Sequence, residues 1–304
     1  MKTEIFEALG LDRRFLWQAP INGHSTESFG DFLTPPEDAQ YTPCAEAYPD
    51  QGLPRGKVIK IGAWNKSSLY PDTHRDIWIY HSAQLAEFSG APDLMVFQDG
   101  GGYVDQAGPV RAPAVIDRLV QDGQLKPTIA IFVNPGFIPG EESKAMLQRS
   151  LEYDTLNDTY ASFLIEEIIP LAETTVGRTV STDPAQRTII GISSGGICAF
   201  TAAWFHPEQF GRVLSHCGSF VNIEGGHNYP YLIRTTQRKP IKAFLTSGEN
   251  DLDIPIGSWP MANKAMADAL AYSGYDFRFD FCDGGHSLCH GGSIFAESLR
   301  WLHA

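Results

Sequence analysis

The chain has 304 residues, of which 43% are hydrophobic, 12% aromatic and 19% charged, a balance that excludes an intrinsically disordered protein. Lys and Arg number 23 against 36 Asp and Glu, a formal net charge of −13, which argues against nucleic acid and against an electrostatic hold on anionic membranes or polyanionic substrates. No run approaches the ~18 apolar residues of a membrane span, the first 18 residues lack a secretory apolar core, and five scattered cysteines read as reduced thiols of a cytoplasmic protein.

Residues 1–54 are rich in Pro, Gly and Asp after a helix-like opening at residues 4–9. They read as an irregular arm laid over a catalytic domain at 55–304. Within that domain, strand patterns fall at residues 57–61 and 76–80, with a turn-rich stretch between them. Compact β-branched runs at 94–97, 128–133, 188–192 and 241–245 suit strands buried on both faces. Residues 275–281 alternate apolar and polar, as a half-exposed strand near a sheet edge would. Tyr160, Phe163, Leu164 and Ile168 share one helical face, in a helix starting near Asn157 or Asp158 and ending around Pro170 or shortly beyond. Residues 262–271 and 294–302 form two further amphipathic helices. Strands alternating with helices specify an α/β architecture with a mostly parallel central sheet and helices on both faces.

The sharpest local signal is Gly191-Ile192-Ser193-Ser194-Gly195-Gly196, placed after a buried strand and before an apolar helical run. A nucleophile elbow needs small residues two before and two after its serine. Centring on Ser193 puts Gly191 and Gly195 there, whereas centring on Ser194 would put Ile192 there. Ser193 is therefore the candidate nucleophile, and the Ser194 N–H at the helix start is a candidate oxyanion donor. A serine needs a histidine to take its proton and an acid to orient that histidine, in the chain order Ser, acid, His. His286 sits in the glycine-flanked loop Asp283-Gly284-Gly285-His286-Ser287 after a strand, with His290 the runner-up. The loop after the 241–245 strand offers Glu249, Asp251 and Asp253, and position alone does not choose among them; Asp251 is preferred. Three glycines in Asp99-Gly100-Gly101-Gly102-Tyr103 let the backbone approach a carbonyl closely, with Gly101 the expected second donor.

Cys282, His286, Cys289 and His290 cluster in sequence, but the closely spaced cysteine pair of a zinc site is missing. No metal and no cofactor is expected. Residues 134–149 and 219–231 are candidate covers for the site. Tyr103, Phe137, Phe220, His227 and Trp259 are candidate pocket walls, since aromatic groups suit a phenolic acyl group or a sugar.

Together with Leu53-Pro54-Arg55-Gly56, Arg75-Asp76-Ile77-Trp78-Ile79-Tyr80 and Leu151-Glu152-Tyr153-Asp154, these motifs make the chain resemble the enterochelin-esterase-like family of α/β hydrolases. That group is related to feruloyl and acetyl carbohydrate esterases and to mycolyltransferases. The resemblance runs from about residue 54 to the end. It implies an α/β-hydrolase fold, Ser193 as nucleophile, Asp251 as acid, His286 as base and backbone donors at Gly101 and Ser194. It does not carry a substrate: a polyanionic siderophore calls for basic residues at the mouth, and this chain has a charge of −13 without an obvious basic cluster near its motifs. The resulting expectation is a serine carboxylic-ester hydrolase acting on a small or aromatic ester, including one on a carbohydrate. Its rivals are an acyltransferase using the same residues, a siderophore esterase, and a non-enzymatic binding protein on the same fold.

Overall fold

The computed structural model describes residues 36–50 and 52–304; the helix expected at residues 4–9 lies outside them. The strands are β1 (Lys57–Trp64), β2 (Arg75–His81), β3 (Asp93–Gln98), β4 (Thr128–Val133), β5 (Arg187–Ile192), β6 (Arg212–His216), β7 (Lys242–Gly248), β8 (Asp253–Ile254), β9 (Gly257–Ser258) and β10 (Asp276–Cys282). Eight of them form one sheet in the order β1-β2-β4-β3-β5-β6-β7-β10, and β8 and β9 form a separate ribbon. β1 and β2 pair antiparallel, as do β2 and β4, and every other pairing in the large sheet is parallel.

Side chains alternate between two hydrophobic layers, as the pleat requires. Leu94, Val96, Ile129, Ile131 and Ile189 face a layer shared with the helices Thr159–Phe163, Ser194–Phe205 and Trp259–Tyr272. Met95, Phe97, Ala130, Phe132 and Ile190 face the other layer, with the helices Ala112–Gln121 and Phe295–His303. β10 is an edge strand, half-exposed along nearly its whole length. Among the described residues no helix is long and apolar enough to cross a membrane.

Some elements depart from the sequence expectations. β6 and the helix Ala112–Gln121 were not anticipated. β6 is only five residues long and carries Arg212, Ser215 and His216, so its apolar signal is weak. The helix near Pro170 continues to Val176 and stops at Gly177 in the left-handed conformation, φ 72°. Proline lacks the N–H that a helix interior needs; the chain absorbs it with one π turn, Leu164–Ile168, ahead of Ile169–Val176.

The helix Ala145–Tyr153 is tied to β2 by a fully buried ion pair. Arg75 Nη1 and Nη2 donate to Glu152 at 2.7 and 3.0 Å, and Glu152 also accepts from Gly136 N–H and Gln148 Nε2. The Arg75 guanidinium lies over the Phe163 ring, 4.4 Å from its centroid. Removing one partner strands a desolvated charge. Glu152→Ala is therefore expected to cost about 3–5 kcal/mol of stability, read as a lower denaturant midpoint with an unchanged slope.

Candidate functional site

β5 runs into the helix Ser194–Phe205 through a single residue, Ser193, held at φ 59°, ψ −124°. For a residue with a side chain this conformation costs of order 1–3 kcal/mol, so its surroundings must impose it. Ser193 N–H donates to His216 O at 2.9 Å, and Ser219 N–H donates to Ser193 O at 3.0 Å. Both clamps come from the end of β6 and the loop after it. The flanking glycines are sterically required: a Cβ on Gly191 would stand 2.2 Å from Gly195 O, and one on Gly195 would stand 2.8 Å from Asp99 Oδ2.

Ser193, Asp251, His286 and Gly101 follow β5, β7, β10 and β3, all at the C-terminal ends of parallel strands, where open α/β sheets gather their functional loops. Ser193 Oγ lies 2.8 Å from His286 Nε2, and His286 Nδ1 lies 2.6 Å from Asp251 Oδ1. Asp251 is buried and also accepts from Ser247 Oγ at 2.9 Å and Leu252 N–H at 2.8 Å. Glu249 and Asp253, the other carboxylates of this loop, are exposed. The acid and histidine loops are laced together because β7 and β10 are neighbours. Glu249 N–H donates to Cys282 O, and Asn250 N–H and Nδ2 donate to Gly284 O and Asp283 O. His290, the runner-up histidine, turns instead to Asp280, 3.2 Å away. Burial works against its charged form, but hydrogen bonds to Asp280 and Cys282 prevail and hold its pKa at about 9.

Chemically, an aspartate that accepts a hydrogen bond from Nδ1–H fixes the proton on that nitrogen and leaves Nε2 free to accept from a serine hydroxyl. Ser194 is the first residue of its helix, so its N–H has no carbonyl within the helix to bond. Gly101 N–H is engaged by Asn134 Oδ1 at 2.9 Å. A second hydroxyl, Ser219 Oγ, lies 3.2 Å from Ser193 Oγ and receives the Trp259 indole N–H at 3.2 Å. Sequence reasoning missed Ser219 and Asn134; the available signal for Ser219 was its place just after a strand, and that strand, β6, was itself missed.

Several expected pocket walls lie elsewhere. Tyr103 is fully buried, packed on Phe97, with its hydroxyl 3.0 Å from His216 Nδ1. Phe220 is buried against Phe200 and Tyr229. Both are core residues, Tyr103 in the layer of Phe97 and Phe132 and Phe220 in the opposite one. His227 is exposed on the turn Gly226–Asn228, and half-buried Phe137 packs by His74. Trp259 does reach the site: its ring meets His286 edge-on at 5.6 Å, although it is only 2% exposed.

Behind the elbow, Arg149 grips both oxygens of Asp99 at 2.9 and 2.8 Å. Burial opposes its charge, but Asp99 outweighs burial and raises its pKa. Asp99 itself has φ 54° and turns β3 into the glycine loop; Tyr153 Oη accepts its N–H at 3.2 Å. Burial pushes the neighbouring Asp154 up to about 6 and His216 down to about 3. Cys217 Sγ stands with Asp251 and His286 within a 4.8 Å span that could hold a metal ion, although the latter two groups already bond each other. The cysteine–histidine cluster around 282–290 is not such a group among the described residues.

Residues 73–251 match the model of the family described as "Putative esterase". The iron(III) enterobactin esterase of Dickeya dadantii (strain 3937) is 27% identical over 268 residues, which cover 82% of this chain and 56% of that protein. The crystal structure of the enterobactin esterase of Shigella flexneri with 2,3-di-hydroxy-N-benzoyl-glycine is similar at a TM-score of 0.65 and 21% identity, covering 86% of this chain and 62% of that one. The ferulic acid esterase of Anaeromyces mucronatus gives 0.62 at 15% identity, covering 86% and 95%. The chain thus spans little more than half the length of these enterobactin esterases. The structural likeness is one of fold: a mostly parallel sheet with helices, of the α/β-hydrolase type.

Proposed function

The chain belongs to this esterase family, and from that premise we propose that it is a serine carboxylic-ester hydrolase working through Ser193, His286 and Asp251. The observation that carries the reading is the unbroken relay Asp251–His286–Ser193, at 2.6 and 2.8 Å, ending on a serine in a strained turn. His286 Nε2 takes the Ser193 proton as Oγ attacks the ester carbonyl carbon. The carbonyl oxygen, now negative, is held by Ser194 N–H and by Gly101 N–H, from which it displaces the Asn134 side chain. His286 then gives its proton to the departing alcohol, and water, deprotonated by the same imidazole, releases the acid. No cofactor or metal enters these steps.

For substrate, the reading is a neutral ester with a small or aromatic acyl group. A Cβ built on Gly101 would lie 3.5 Å from the Trp78 ring, and one on Gly102 would lie 3.4 Å from Leu288 Cδ1, so apolar groups flank the oxyanion loop. Arg149 spends two donors on Asp99, and the net charge of −13 suits a polyanionic siderophore poorly.

The test is a panel of esters varying acyl and alcohol parts independently, run beside a fluorophosphonate probe. Labelling of Ser193 and faster turnover of acetyl or feruloyl esters than of catecholate siderophores is the expected result. A folded protein that neither labels nor turns over any ester would overturn the assignment.

A further inference from the structure

The histidine loop is held on one side by the acid loop and on the other by the segment preceding β1. In the short 3-10 turn Pro36–Gln40, Asp38 is only 2% exposed. A carboxylate is rarely so buried unless its oxygens are satisfied, and here both are. Oδ1 accepts from Gly285 N–H at 2.9 Å, and Oδ2 accepts from the Ser287 hydroxyl. One side chain thus grips the residue before His286 and the residue after it. Its neighbours extend the grip, since Gln40 Nε2 and Tyr41 Oη both donate to Asp283. The fit at Gly284 is tight: a Cβ there would stand 2.9 Å from Asp38 Oδ1 and 3.1 Å from the Tyr41 ring. Further on, Cys44 N–H donates to Gly292 O at 3.2 Å, and Glu46 pairs with Arg300.

We propose that Asp38 is a positioning residue for the chemistry of His286, so that residues 36–44 belong to the working site and are not an appendage. The proposal rests on the serine-hydrolase reading above. Its physical basis is geometric. The imidazole must bridge two partners at 2.6 and 2.8 Å at once. The Nδ1 side is fixed by Asp251 and its partners, but the loop that carries His286 is glycine-rich and does not hold its own shape. Two hydrogen bonds to one buried carboxylate, one on each side of the histidine, set both the height and the rotation of the ring. A misplacement of about 1 Å at a reacting group costs about 100-fold in rate. The acceptor geometry carries this role, so the isosteric amide serves partly in its place. Asn keeps an oxygen for Gly285 N–H, and its NH2 meets the Ser287 oxygen, whose hydroxyl can rotate to accept.

The experiment compares Asp38→Ala, Asp38→Asn and Ser287→Ala in the full chain, with Ser193→Ala as control. The expected result for Asp38→Ala is a kcat about 30- to 100-fold lower with KM within about twofold, and a parallel slowing of fluorophosphonate labelling. Asp38→Asn should recover most of the loss, and Ser287→Ala should lose several-fold. The low-field proton resonance of the His286–Asp251 hydrogen bond should be sharp in wild type and broadened in Asp38→Ala. Wild-type kcat in Asp38→Ala overturns the proposal; should that variant fail to fold, wild-type kcat in Ser287→Ala does so. Failure of the hydrolase reading looks different: wild type itself would be unlabelled and would turn over no ester.

Discussion

Ser193→Ala is expected to lower kcat for a p-nitrophenyl acyl ester by a factor on the order of 10⁴–10⁶, leaving the fold intact. The substitution removes one oxygen, and with it the bonds to His286 Nε2 and Ser219 Oγ, while the backbone clamps from His216 and Ser219 remain. Thermal unfolding should therefore move by no more than a few degrees while turnover collapses. Ser219 makes this a stringent test, because its hydroxyl is 3.2 Å from Ser193 Oγ. It lacks the strained turn, and it accepts the Trp259 N–H, which weakens it as a nucleophile. Residual turnover near wild type would move the nucleophile to Ser219, and mapping the fluorophosphonate adduct by mass spectrometry decides between the two.

Asp251→Asn is expected to cost about 10⁴-fold in kcat, whereas Asp253→Asn and Glu249→Gln should stay within about twofold because their carboxylates are solvated and screened. An amide at position 251 with its NH2 in the place of Oδ1 keeps an oxygen for Ser247 Oγ, and so keeps that tie to β7. Its NH2 then faces His286 Nδ1, which must accept, and the proton moves to Nε2. That tautomer cannot receive the Ser193 proton. The signature is a fall in kcat with little change in KM, and the reverse ranking of Asp251 and Asp253 would reassign the acid.

How much can be read without coordinates depends on whether the cause is local. β4 is legible because every position from Thr128 to Val133 is buried on one face or the other, so apolar composition reports it directly. β6 is not, since Arg212, Ser215 and His216 are held there by neighbours on both sides. Gly191 of the elbow is legible because its reason is a clash within five residues of chain, against Gly195, whereas the clash that excludes a side chain at Gly195 comes from distant Asp99. The choice among Glu249, Asp251 and Asp253 is a different kind of problem. Asp251 is the carboxylate that bonds His286, which follows another strand, and that contact is not visible in the loop's own composition. Tyr103 and Phe220 mislead for the same reason, because an aromatic residue beside a functional loop can point up to the site or down into the core, and only the packing decides. Asp38 lies furthest from any local signal, being an acid in an irregular segment whose partners lie about 250 residues away.

That separation also bears on how the protein comes to be active. Ser193 and His286 are 93 residues apart, Asp251 and His286 are 35 apart, and Asp38 closes a loop of 247 residues onto Gly285. Contacts this distant form only after long stretches of chain have been brought together, and closing them is slow. During synthesis Asp38 leaves the ribosome 247 residues before Gly285. The sheet can assemble strand by strand meanwhile, but the proposed site needs these distant segments to meet. In a refolding experiment, recovery of ester turnover should therefore trail the recovery of far-ultraviolet circular dichroism, making activity a clock for the docking of Asp38 against the histidine loop.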